Sequence, residues 1–225
     1  MTANTIIPFP DSSIIIQEGN YIVKNLLTEE EKIQAYRLRH KIFCEELKWL
    51  PLSGDGLEID EYDSYSFFFG VFDKKNKINA FARLTLPVGL FMIEKVFPFL
   101  IGTGYKIRKE DDTVEISRLC VSQEVRNNLE NFGYHEILML LYKSIYYWCI
   151  IHNIRYIYLV VEQRFYRLCR IMGFPCKLIG EPVIMPDGLV AVAAIMDWRE
   201  FESLNKVRRP KMIKWFTQYQ SIVSQ

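Results

Sequence analysis

The sequence predicts a mixed α/β sheet with helices on both faces, folded as a single domain over residues 1–225. Three observations predict it. At 225 residues the chain suits one large domain better than two. Half of its residues are hydrophobic and 14% are aromatic, ample for a core and unlike a disordered tail. Strand-length apolar runs interleave with helix-length segments, without an internal repeat or a low-complexity tract.

In chain order, a leader strand is expected at residues 13–17 or 21–24, and residues 1–20 read as an N-terminal leader. Thr28 followed by three glutamates supplies an N-cap with acids in the first turn, and the helix should run to about Glu46. Ile33, Tyr36, Arg37, His40 and Phe43 fall on related faces of it. Residues 51–56 read as a loop. Residues 66–72 and 78–86 read as strands joined by the polar turn 73–77, a hairpin signal. Residues 91–100 suggest a short apolar helix or turn, residues 106–112 a surface loop, and residues 114–121 a strand. A long aromatic-rich helix is expected over 133–152, then a strand over 156–161. A helix over 163–172 is stopped by Gly173 and Pro175. Residues 191–197 close the sheet, and 200–225 form a C-terminal helix or tail.

Composition excludes several classes. Lys and Arg total 28 against 27 for Asp and Glu, a net charge of +1 that argues against duplex DNA as the main partner. Cys44, Cys120, Cys149, Cys169 and Cys176 form no C-x-x-C pair, so neither a disulfide framework nor a zinc ribbon is indicated. The expected setting is a reducing cytoplasm. The N-terminus has no basic region and is broken by Pro8 and Pro10, unlike a signal peptide. No apolar run reaches the length of a membrane span. His40, His135 and His152 are isolated, without metal-ligand spacing, and no metal is expected. Neither a G-x-S-x-G elbow nor a Cys/His nucleophile pattern is present.

The densest polar constellation lies in the first half. Arg39, Phe43 and Trp49 precede Glu58, Asp60 and Asp63, and then come Arg83 and the strand E-I-S-R with Glu115 and Arg118. Each alone has a bland reading: a solvated acidic loop, a core aromatic, a surface ion pair. The ordered set R-x3-F-x5-W, E-x-D-x-x-D, R-L, M-I-x-x-V-F-P-x-L and E-x-S-R closely resembles the acyl-homoserine-lactone synthases, the autoinducer synthases of bacterial quorum sensing. The likeness runs from about Arg37 to Val121 and continues more weakly through residues 157–161 and 167–175.

The resemblance implies an acetyltransferase-like (GNAT-type) fold, a mixed and splayed sheet whose cleft receives an acyl thioester. It implies N-acylation of S-adenosylmethionine from an acyl carrier protein or acyl-CoA, with methylthioadenosine lost as the lactone closes. These are substrates, and no prosthetic group is implied. On this reading Asp60 and Asp63 face cationic groups of S-adenosylmethionine, and Arg39 or Arg118 holds a carboxylate or orients those acids. Phe43 and Trp49 offer aromatic faces, and Arg83 and Phe97 complete the binding set. Glu115 is the candidate base with Arg118 beside it, because an α-amine near pKa ~8 must lose a proton before it attacks. Glu58 reads as a loop-ordering residue outside the core site.

Leu159 falls where 3-oxo producers often carry threonine. With Leu119, Leu141, Ile145 and Trp148 it should wall an acyl pocket for an unsubstituted chain. Arg164, Arg167 and Arg170 form a basic helix face for an acidic carrier protein. Residues 126–133 hold one glycine and an inserted acid, which weakens a phosphate nest and favours a carrier-protein donor over CoA. Two departures from the family pattern stand out: Arg83-Leu-Thr-Leu-Pro87 moves a proline by one, and Leu119-Cys120 replaces a common aromatic. The competing readings are an N-acyl amino acid synthase or exosortase-associated acyltransferase on the same fold, and a non-catalytic acyl- or S-adenosylmethionine-binding sensor.

Overall fold

Thr28 opens the first helix as a capping box: its hydroxyl accepts from the Glu31 amide at 3.3 Å, and Glu31 accepts from the Thr28 amide at 3.2 Å. The computed structural model describes residues 13–127 and 133–218. Helix α1 (Glu29–Arg39) buries Ala35, Leu38 and Arg39, while Ile33 and Arg37 are exposed, so the buried stripe is offset from the one the spacing predicts. The predicted helix to Glu46 changes pitch at His40–Glu46, a π-helical stretch in which Leu47 donates to the Ile42 carbonyl at 2.9 Å.

One leader strand is expected at either of two places, and strands form at both. Strands β1 (Ile15–Glu18) and β2 (Tyr21–Asn25) make a hairpin, and β2 pairs with β3 (Ser66–Asp73). The turn from β3 to β4 (Ile78–Thr85) is set by Asp73, whose carboxylate accepts from the amides of Lys75 and Lys77 at 2.8 and 3.0 Å. Despite the shifted proline, β4 closes cleanly: it ends at Thr85, and Leu86 still donates to the Tyr65 carbonyl. The apolar segment that follows divides into α2 (Met92–Lys95) and a 3-10 turn at Pro98–Leu100. Next come β5 (Thr113–Val121), the short α3 (Gln123–Asn127), α4 (Gly133–Ile151), β6 (Tyr156–Glu162) and α5 (Gln163–Met172). Gly173 ends α5 at φ 101°, a conformation suited to glycine, and the Phe174 amide returns to the Cys169 carbonyl at 2.9 Å.

Strand β9 (Val190–Asp197) does not close the sheet as expected. Short strands β7 (Lys177–Leu178) and β8 (Val183–Ile184) pair with it, giving the order β1-β2-β3-β4-β5-β6-β9-β7. The C-terminal region is two helices, α6 (Trp198–Arg208) and α7 (Pro210–Thr217), divided at Pro210 because proline starts a helix but cannot continue one.

All neighbouring strands run antiparallel except β5 and β6. That parallel pair is joined only from Thr113–Ile116 to Tyr156–Leu159. Beyond Ile116, β5 stays with β4 and β6 stays with β9, so the sheet splays open. Helices α4 to α7 cover one face with the largest core cluster, which includes Leu84, Leu141, Trp148, Phe201 and Phe216. On the other face α1 packs over Phe68, Phe72 and Phe81, and a separate cluster gathers Phe91, Ile93 and Leu100 against Tyr158.

Candidate active site

Strand alternation puts Glu115 and Ser117 on the α1 face, because they pair with Thr85 and Arg83 respectively. Regular alternation would then turn Arg118 toward α4. A β-bulge prevents this: two steps on β4, from Phe81 to Arg83, match three on β5, from Cys120 to Ser117. Arg118 is the inserted residue, held at φ 54° in the left-handed region that non-glycine residues rarely adopt. After it, Leu119 packs with the α4 core and Cys120 with the α1 core. The bulge thus aims Arg118 at the acidic segment 58–63.

There it joins a network of three guanidiniums and three carboxylates. Arg39, fully buried, grips Asp63 with two bonds of 2.8 and 3.1 Å and pairs its Nε with Glu58. Arg83, also fully buried, bonds Asp60 and reaches Asp63 at 2.7 Å, while its Nε donates to Ser117 at 3.0 Å. Arg118 spans Glu58 at 3.0 Å and Asp60 at 2.8 Å. Met92 Sδ lies 3.4 Å from Arg118 Nη1 and 3.8 Å from Arg83 Nη2. Asp60 and Asp63 also cap each other's turn: the Asp60 amide donates to Asp63 at 2.9 Å, and the Tyr62 amide donates to Asp60 at 3.0 Å. The charges cancel within the group, which is what makes such burial tolerable. Burial pushes the Glu58 and Asp63 carboxyls up, but guanidinium hydrogen bonds more than reverse this and hold both below the usual carboxylate range.

These contacts refine the residue roles. Glu58, set outside the core site on sequence grounds, bridges Arg39 and Arg118 and belongs to it. Its spacing of two from Asp60 was the available signal. Arg39 orients the acids: its Nε, Nη1 and Nη2 all donate to Glu58 and Asp63, so it is committed to them rather than to a substrate carboxylate. Asp60 and Asp63 face the protein's own arginines first, with Asp60 the more exposed of the two. Phe43 is buried between Arg118, 5.6 Å from its ring centre, and Trp49, stacked at 6.3 Å. Trp49 is therefore the open aromatic face, 52% exposed. Phe97 packs at the third core cluster, 6.2 Å from Phe99, and takes no part in the charge network.

Glu115 is nearly inaccessible, and its two oxygens accept from the amides of Met92 and Ile93 at 2.6 and 2.8 Å. Burial pushes its carboxyl up to about 7, although those two amides and the charges of Arg83 and Lys109 pull the other way. The network is already neutral without it, so Glu115 has no cation of its own. That leaves it able to exchange a proton near neutral pH.

Leu141, Ile145, Trp148 and Leu159 are buried in one cluster, with Leu119 against it. Arg164, Arg167 and Arg170 are exposed on the outer side of α5, opposite the buried Tyr166, Cys169 and Met172. Arg126 is engaged by Glu46 and by the Val121 carbonyl, while residues 128–132 of the weakened phosphate nest lie outside the described residues. Among the described residues no His, Cys, Asp or Glu group could hold a metal, and no helix is long and apolar enough to cross a membrane.

Residues 24–206 match the family described as autoinducer synthase. The chain belongs to that family. Its activity is accordingly that of an acyl-homoserine-lactone synthase, an acyltransferase making a quorum-sensing signal. It is 31% identical to an acyl-homoserine-lactone synthase of Rhizobium radiobacter, over 75% of this chain and 80% of the relative. A second relative, from Aliivibrio fischeri strain ES114, is 30% identical over 76% of this chain and 86% of its own length. Solved structures share the fold at lower identity. The CoA-dependent acyl-homoserine lactone synthase BjaI, with SAM and isopentyl-CoA, superposes with a TM-score of 0.69 at 22% identity, over 87% of this chain and 89% of that one. The AHL synthase LasI gives 0.70 at 17%, covering 80% and 91%. The splayed sheet is thus the GNAT-like fold expected, shared also with a putative N-acetyltransferase of Lactobacillus plantarum at 0.53 and 13%, covering 80% and 99%.

Proposed function

We propose that the cleft beside Glu115 acylates the α-amine of S-adenosylmethionine and then closes the homoserine lactone. The observation that carries this reading is a carboxyl poised to about 7 between two backbone amides, next to a neutral network of arginines and acids. Each Glu115 oxygen has lone-pair capacity beyond the amide it accepts from, so the carboxylate can still take a proton. Glu115 removes the proton of the amine, directly or through a water. The nitrogen attacks the thioester carbonyl, the C–S bond breaks, the thiolate leaves as the thiol with the second proton that the nitrogen sheds, and the proton Glu115 took passes to solvent. The substrate carboxylate then attacks its own γ-carbon, the bond to the sulfonium sulfur breaks, and neutral methylthioadenosine departs. That second step needs chiefly orientation.

Trp49 offers its face to the adenine or the sulfonium. Asp60 and the partly exposed Arg118 contact the amino-acid half, and the buried Arg39 and Arg83 fix those two in place. Leu119, Leu141, Ile145, Trp148 and Leu159 wall the acyl chain. The donor is an acyl carrier protein docked on Arg164, Arg167 and Arg170, whose exposure suits an acidic partner. The setting is a reducing cytoplasm, which five buried free thiols suit. Turnover of matched acyl-carrier-protein and acyl-CoA donors tests the donor assignment. The carrier-protein form should show the higher kcat/KM, and a preference for the CoA form would reassign it.

A further inference from the structure

Tyr62 lies between Asp60 and Asp63, on the 3-10 turn Glu61–Tyr65. The turn is fixed: Ser66 Oγ donates to the Tyr62 carbonyl at 2.6 Å, and the network holds both aspartates that cap it. The ring lies under Arg83, whose guanidinium carbon is 5.4 Å from the ring centre. Only 4% of Tyr62 is exposed, and its hydroxyl is buried with no hydrogen-bond partner among the described residues. Buried hydroxyls are nearly always bonded, since leaving one unpaired is destabilising. Arg83 also bonds Asp60 and Asp63, the residues that flank Tyr62, so the ring lies against the charge network of the site.

We propose that Tyr62 is a substrate-contacting residue, its hydroxyl donating to a substrate oxygen within the site. The inference rests on the acyl-transfer reading above. Two substrate groups offer an oxygen that carries or develops negative charge, the carboxylate of S-adenosylmethionine and the thioester carbonyl during attack. The chemistry needed is the same for both: a neutral donor that keeps its proton. Burial, followed by Glu61, Tyr65, Glu115 and Asp60, pushes the Tyr62 phenol up to about 12, so it stays protonated at neutral pH. No proton leaves the hydroxyl at any step. The guanidiniums nearby are committed to protein carboxylates, which leaves Tyr62 as a donor not engaged in the network.

The test is Tyr62→Phe, which keeps the ring under Arg83 and removes only the oxygen. In the free protein the hydroxyl is unpaired, so the Tm should hold or rise. With substrates present, kcat/KM should fall by about tenfold to a hundredfold. Weakened S-adenosylmethionine affinity in calorimetry, with kcat kept, assigns the contact to the carboxylate. A fall in kcat with that affinity unchanged assigns it to the carbonyl. A variant within twofold of wild type in every parameter overturns the proposal, and so does a fall in activity matched by a fall in Tm. Wild-type protein that forms no lactone contradicts the reaction itself. Active wild type with an equally active variant contradicts only the role of Tyr62.

Discussion

Replacing Arg39 with methionine should destabilise the protein by about 3–5 kcal/mol, the range for breaking a buried ion pair from one side. The structure explains why the loss is large. Arg39 is fully buried and serves two carboxylates at once, Glu58 through Nε and Asp63 through a bidentate pair at 2.8 and 3.1 Å. After substitution Arg118 still holds Glu58 at 3.0 Å and Arg83 still holds Asp63 at 2.7 Å. Three carboxylates then share two guanidiniums, and one negative charge is left without a partner. Total stabilities of about 5–15 kcal/mol make such a loss easy to resolve. Urea is the proper denaturant because it adds no screening salt. With an m-value of about 2 kcal/mol/M the midpoint should fall by about 1.5–2.5 M. The pH dependence gives a second handle. Arg39 helps hold Glu58 and Asp63 below the ordinary carboxylate range, so its contribution is present above that range and lost as pH falls through it. The gap between wild type and Arg39→Met should therefore narrow as pH falls below about 5, and adding Asp63→Asn should recover part of the loss. A loss below about 1 kcal/mol at pH 7, or a gap that widens in acid, would refute the network as a buried charge assembly.

The remaining expectations concern catalysis and specificity. Because the Glu115 carboxyl is pushed up to about 7, kcat/KM should rise with pH through that region as the carboxylate forms. The same shift has the opposite sign for stability: protonated Glu115 favours the fold below the usual carboxylate range, and that contribution is lost as pH rises toward 7. Glu115→Gln should lower turnover by about 10²–10⁴ and remove that limb of the profile, whereas near-wild-type turnover would exclude Glu115 as the base. Gln offers a single oxygen to two amides, so circular dichroism of the variant should accompany the rates. Arg164→Glu with Arg167→Glu should raise KM for an acyl-carrier-protein donor and reverse its salt dependence, because salt then screens a repulsion, leaving acyl-CoA kinetics unchanged. Leu159→Thr should improve use of a 3-oxo donor relative to its unsubstituted match, since leucine leaves the 3-oxo oxygen unpaired at about 1–3 kcal/mol. A wild-type preference for the 3-oxo donor would remove Leu159 from the acyl wall.

What could be read from the sequence was whatever local chemistry decides. Thr28 with Glu31, the Asp73 turn and the Gly173 stop are each satisfied within a few residues, and each formed where expected. The charged residues of the ordered motif set meet because the fold aligns β4, β5 and the 58–63 segment. Features set by distant partners were less legible. The left-handed bulge at Arg118 is sustained by Glu58 and Asp60, some sixty positions earlier, and nothing adjacent to Arg118 requires it. The buried stripe of α1 runs through Ala35, Leu38 and Arg39, and Arg39 can lie in it because Glu58 and Asp63, far along the chain, neutralise its charge. Strands β7 and β8 are two residues each, too short for any alternation to register. Glu58 was misjudged for a related reason. A glutamate following a glycine-rich loop looks solvated until the two arginines that enclose it are placed.

The most direct measurement is product analysis of the purified protein incubated with S-adenosylmethionine and an acyl thioester. Mass spectrometry should find the acyl-homoserine lactone and methylthioadenosine in equal amounts, both dependent on the thioester. A linear N-acyl amino acid formed without methylthioadenosine, the outcome expected of an N-acyl amino acid synthase on this same scaffold, would contradict the account.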